Sequence, residues 1–127
     1  MRTGATLLVD TKGIVRHWNK DAEDLFGYSA ADVVGQSMEF LVPNTYRERH
    51  WAGFNKAIES GAVQFDPLLA NLPLKCLDGT VCHFPIRQTA VRDAFDVVTG
   101  VLTVFSPACK PGDDNGFPTV FEDAVIE

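Results

Sequence analysis

The sequence predicts an α+β domain, an antiparallel sheet with its helices packed on one face. Two observations carry this. Strand-like runs open the chain, helical patterns fill its middle, and longer strand-like runs return after Gly61, so the two kinds of element are segregated and not alternating. The 127 residues, 46% hydrophobic and 22% charged, suit one globular core and are too few for two.

The first elements follow from local signals. Thr6 to Asp10 is a short apolar run that ends in the turn signal Asp10-Thr-Lys-Gly13. Ile14 to Trp18 has strand composition, so the pair reads as a β-hairpin. Asn19 is a good N-cap for a helix over Lys20 to Phe26, with Ala22, Leu25 and Phe26 buried and Gly27 as its stop. Ser29 caps a second short helix that ends before Gly35. Met38 to Val42 is short and apolar and stops at Pro43. Thr45 and Glu48 have capping-box spacing and are expected to start a longer helix that Gly61 ends.

The second half changes period. Val63 to Lys75 is strand-like, with breaks at Pro67 and Pro73. Asp78-Gly79 is a strong turn. From Val81 to Val91 the even positions form an apolar face, with Pro85 implying an edge or a bulge. Val97 to Phe105 is the last strand, with Gly100, Leu102 and Val104 expected on the same side as Ile86. After Pro107 the composition becomes that of a linker, followed by a short apolar-acidic end at Thr119 to Glu127.

Charge and cysteine content narrow the function classes. A net charge of −6 and a pI of about 4.9 argue against nucleic acid as the main partner. No apolar run approaches the roughly 20 residues of a membrane span, and no membrane partner is expected. Cys76, Cys82 and Cys109 show neither a disulfide framework nor zinc-ligand spacing. Cys76 and Cys82 are expected to pack as small apolar residues, and a cytoplasmic location is the expectation. No nucleophile–base pair or phosphate loop is visible, so the chain does not read as an enzyme.

The informative residue is His50, in the middle of the longer helix. At roughly 100° per residue, Tyr46, Trp51, Phe54, Ala57 and Ile58 all fall within about 100° of it, and Glu48, Asn55, Lys56 and Glu59 fall on the other side. An imidazole inside an apolar arc needs a buried hydrogen-bond partner or something to coordinate. A satisfied core histidine and a ligand-binding histidine both meet that need. Tyr46, Trp51, Phe54, Phe65, Leu72, Ile86, Gln88, Leu102 and Val104 are the expected walls of a pocket between this helix and the sheet, or else pack against one another.

The run from Leu8 through Asp10, Gly13, Trp18, Asn19, Ala22, Leu25, Phe26, Gly27 and Tyr28 resembles the opening of a PAS sensory domain. Gly35, Pro43, Asp78-Gly79 and Gly100 continue the likeness, which covers about residues 5 to 107. The resemblance implies a five-stranded antiparallel sheet with short helices and one longer helix on one face, and sensing or protein–protein signalling in place of catalysis. It divides the chain into a PAS domain over 1–107 and an acidic, Gly/Pro-containing tail over 108–127.

Within PAS domains, Val42 to His50 is most similar to the oxygen-sensing haem PAS kinases. That likeness implies haem b, with His50 as its proximal iron ligand and Lys56 near a propionate. Two positions depart from it. Ala70 stands where the oxygen sensors carry an arginine, and Gln88 stands at a distal apolar position. The stretch Ser37 to Leu41 lacks the cysteine of a light-sensing flavin relative. Two functions follow: a haem sensor of gas or redox state that signals to a downstream protein, or a cofactor-free PAS module that dimerises, docks or binds another small ligand.

Overall fold

The computed structural model describes residues 4–60 and 68–107. Five strands form one antiparallel sheet: β1 Ala5–Asp10, β2 Val15–Trp18, β3 Leu68–Lys75, β4 Val81–Arg92 and β5 Val98–Phe105. Their order across the sheet is β2-β1-β5-β4-β3. Three helices come between β2 and β3 in the chain: α1 Lys20–Phe26, α2 Ala30–Val33 and α3 Arg47–Ser60. Two 3-10 turns, Met38–Leu41 and Asn44–Tyr46, lead into α3. The expected five-stranded sheet with helices on one face is the fold that forms.

Local chemistry explains the joints. Asp10 Oδ1 accepts from the N–H groups of Lys12 and Ile14 at 2.9 and 3.0 Å and closes the β1–β2 turn. Gly13 completes this turn at φ +79°, where a side chain is strained. Asn19 caps α1, its Oδ1 accepting from Ala22 N–H, and the same oxygen accepts from Thr6 N–H of β1. Its Nδ2 donates to Gly4 O. One side chain therefore both starts the helix and fastens it to the first strand. Gly27 ends α1 in the left-handed conformation.

The core lies between the helices and the inner sheet face. Phe26 is its centre, with ring centroids 5.6, 4.8 and 4.9 Å from Trp18, Phe84 and Phe105. Tyr28 reaches across from the start of α2 and donates its hydroxyl to Lys75 O at 2.9 Å. Cys76 and Cys82 are half-buried against this core, as expected, and burial first, then the nearby Cys82, pushes the Cys76 thiol up from its ordinary pKa.

Four local expectations are corrected. Pro73 does not break a strand, since it lies within β3 and pairs with His83. The capping box does not start α3: Thr45 is exposed within a 3-10 turn whose own backbone bonds, Tyr46 N–H to Pro43 O and Arg47 N–H to Asn44 O, take up the donors there. Pro85 does not mark an edge, because β4 runs between β5 and β3. Its C=O points toward β5, where it accepts from Ser106 N–H, and the N–H of a strand residue points the same way as its C=O. The missing donor therefore falls where β5 has just ended at Phe105, and no ladder bond is lost. Finally, Ile86 pairs with Phe105, Gln88 with Thr103 and Ala90 with Val101, so the odd residues of β5 face the helices and Leu102 and Val104 face away.

Candidate ligand site

Helix α3 forms one wall of a cavity of about 500 Å³, through Arg49, His50, Gly53, Phe54, Lys56, Ala57 and Ile58. The facing wall is the sheet: Leu7 and Val9 of β1, Leu68, Leu72, Pro73 and Leu74 of β3, Gln88, Thr89 and Ala90 of β4, and Val101, Thr103 and Phe105 of β5. Met38, Leu41 and Val42, from the segment that leads into α3, complete the lining. The volume lies within the roughly 300–1,000 Å³ of small-molecule sites, and the lining is mostly aliphatic with few polar groups.

His50 lines this cavity half-buried, with the ring of Phe54 stacked one helical turn on at 6.2 Å and 18°. Its Nδ1 is shielded from solvent and has no hydrogen-bond partner among the described residues. Burial pushes the imidazole below its ordinary pKa, and the carboxylate of Glu39 opposes this only in part. The ring is therefore held neutral, the form in which it coordinates metals.

That shift predicts a pH dependence. The unfolded chain takes up a proton on this ring near its ordinary value of 6.5, and the folded chain resists until lower pH. The contribution is intact above about pH 6.5 and is lost as pH falls from there through the folded-state value. Urea melts between about pH 5 and 8 are expected to show stability falling on the acid side, with a smaller slope in His50→Gln. Equal slopes in the two proteins would show that the ring is not protected.

The structure brings together only some of the residues singled out from the sequence. His50, Phe54, Lys56, Leu72 and Gln88 line the cavity. Phe65 lies outside the described residues. Leu102 and Val104 do not line it, since the register turns them to the opposite sheet face. Ile86 points inward but is sealed in the core at 1% exposure, paired with Ala70 and Phe105.

Tyr46 is buried in the 3-10 turn before α3, so the helical projection does not apply to it, and its ring lies under the Arg49 guanidinium at 5.8 Å. Trp51 leaves the cavity altogether. It sits at the edge of the apolar arc and turns to the β1–β2 hairpin, where its six-membered ring covers Gly13, while its Nε1 donates at 3.1 Å to Oε1 of Glu39 in the Met38–Leu41 turn.

Sequence reasoning missed Leu7, Val9, Val101, Thr103 and Phe105 as lining residues. Leu7 and Val9 were readable, because β1 alternates strictly between buried and half-buried positions. The β5 residues were not, because both faces of that strand carry apolar side chains.

An antiparallel sheet in the order 2-1-5-4-3, with helix α3 across an apolar cavity from it, defines the class of fold. The family model described as PAS fold matches residues 3–108, and the chain belongs to that family of signal-sensor domains. A PAS domain of known structure from Colwellia psychrerythraea is similar over 81% of this chain and 84% of its own, with a TM-score of 0.70 and 21% identity. The LOV protein of Rhodobacter sphaeroides is similar over 87% of this chain and 62% of its own, with a TM-score of 0.68 and 18% identity. At these identities the likeness is one of fold alone.

A protein of Dictyostelium discoideum named "Probable serine/threonine-protein kinase" is 26% identical over 98 residues, which is 76% of this chain and 6% of that protein. The chain thus spans a small part of the curated relatives it matches. Among the described residues no helix is long and apolar enough to cross a membrane.

Proposed function

We propose that this PAS domain is a sensor that holds haem b in the cavity between α3 and the sheet, with His50 as the iron ligand, and passes gas or redox state to a partner protein. The observation that carries this reading is the imidazole of His50, which burial favours in its neutral form, at the wall of an apolar cavity of suitable size. Groups of three or more metal-ligating side chains are absent among the described residues, so a site for a bare metal ion is not favoured there, whereas haem asks one axial ligand of the protein.

The remaining residues fit. Arg49 and Lys56 bring positive charge to the helix wall, suited to the carboxylates at the edge of a haem. Leu72, Val101 and Phe105 give flat apolar contact, and Gln88 supplies a polar group on the sheet wall. When bound, haem supplies an iron that takes diatomic ligands and changes oxidation state. Ala70, fully buried, leaves no arginine on β3, so an arginine-based oxygen gate is not part of this proposal.

The protein's contribution is to orient His50, keep it neutral and exclude water. Output begins at α3, because Trp51 on the same helix grips Gly13 and Glu39. A change in the load on His50 shifts the balance between two packings of α3 against the hairpin, and a downstream protein or a second copy reads it. The domain itself is non-catalytic and acts in the cytoplasm in this reading.

A second reading, a cofactor-free interaction module, is favoured by the outer sheet face, where Leu8, Leu102 and Val104 are half-exposed and Leu69 is exposed. An absorption spectrum with one equivalent of haemin separates the two. A sharp Soret band that moves with carbon monoxide after reduction, and is lost in His50→Ala, is expected. A broad free-haemin spectrum identical in both proteins would remove the haem reading and leave the interaction module.

A further inference from the structure

The haem reading turns on His50 of the helix wall, and the Gln88 amide on the sheet wall has a bonding partner of its own. Gln88 of β4 and Thr103 of β5 sit directly opposite one another, and Gln88 Nε2 donates to Thr103 Oγ1 at 3.1 Å. Both line the cavity, with Thr103 only 3% exposed and Gln88 half-buried. Thr89, beside Gln88 on β4, is the remaining polar lining residue of the sheet, and the others are leucine, valine, alanine, proline or phenylalanine. Two adjoining strands thus place an amide and a hydroxyl in an apolar wall, where aliphatic side chains would avoid the desolvation cost.

The bond between them fixes the amide. It uses one of the two Nε2 hydrogens and leaves the other, together with the carbonyl Oε1, without a protein partner among the described residues. We infer that the Gln88–Thr103 pair is a hydrogen-bonding subsite of this cavity and selects apolar ligands that carry a hydroxyl group. Such a group donates to Oε1 or accepts from the free N–H, and a ligand without it strips water from the amide and gives nothing back. The inference rests on the reading of the cavity as a ligand site, and not on haem as the ligand.

The test compares 2-naphthol with naphthalene as probes of the intact chain. Affinities are measured for the wild type, Gln88→Leu, Gln88→Met and Thr103→Val, and the Gln88 side-chain amide is followed in nitrogen-15 spectra. The wild type is expected to prefer 2-naphthol, and that preference to fall about tenfold in both Gln88 variants, the effect of one lost hydrogen bond. Thr103→Val, which only frees the amide to rotate, is expected to lose less.

The Gln88 amide resonance is expected to shift with 2-naphthol and to stay in place with naphthalene. Phe95→Ala, at an exposed hairpin tip, is expected to keep the wild-type preference. An unchanged preference in the Gln88 variants, or binding of neither probe, would overturn the inference. Haemin uptake is scored separately by the Soret band, so the two readings can fail independently.

Discussion

Replacing Phe26 with alanine is expected to cost about 4 kcal/mol of folding stability, the middle of the range for a buried phenylalanine. The ring is 2% exposed and touches three others, Trp18, Phe84 and Phe105, which come from β2, β4 and β5. The cavity left behind is walled by ring edges from separate strands, and none can swing in without breaking its own contacts. Small domains have roughly 5–15 kcal/mol in hand, so this one change removes a large share. Urea unfolding should show a lower midpoint with an unchanged slope. Phe26→Leu, which keeps most of the volume, should cost clearly less. A loss below about 1 kcal/mol for the alanine variant would mean that these rings do not share one core.

Gly13→Ala is the second large effect and bears on signalling. At φ +79° any L side chain is strained, by roughly 1–2 kcal/mol. A Cβ at this position would also lie 2.6 Å from two atoms of the Trp51 ring, which overpacks the contact by a further 1–3 kcal/mol or so. The sum is about 3 kcal/mol, and part of it is relieved if Trp51 can move. That supplies the check. In a Gly13→Ala, Trp51→Ala double-mutant cycle the two losses should add to more than the double variant shows, because the clash has gone. Additive losses would mean that Trp51 does not press on the hairpin. If they couple, the helix that carries His50 is fastened to the β1–β2 turn through a contact with no slack, which is the property the proposed output route needs.

Much of the fold was legible because its signals are local. Asn19, Gly27 and Ser29 act within a turn or two of themselves, and the structure uses each of them as a cap. Asp10 and Gly13 build the first turn, and Gly79 supplies the positive φ of the Asp78-Gly79 turn. His50 was found for the same reason, since helical periodicity places it in the apolar arc without reference to any other part of the chain. The tail over 108–127 and Phe65 lie outside the described residues.

What the sequence by itself determined is therefore the order and type of the elements, their caps, and the presence of a histidine on the inner side of α3. The tertiary structure alone decided which way ambiguous side chains point. In β5 both faces are apolar, and only the pairing of Ile86 with Phe105 turns Thr103 inward and Leu102 and Val104 outward. Trp51 and Phe54 belong to one arc in projection, yet one meets the hairpin and the other the cavity, because the arc is wide enough to face two neighbours. Pro85 looked like an edge residue until the end of β5 placed its missing donor beyond the ladder. In each case the deciding contact is with a residue distant in the chain, and a periodicity that fixes which face is apolar carries no information about what that face will meet.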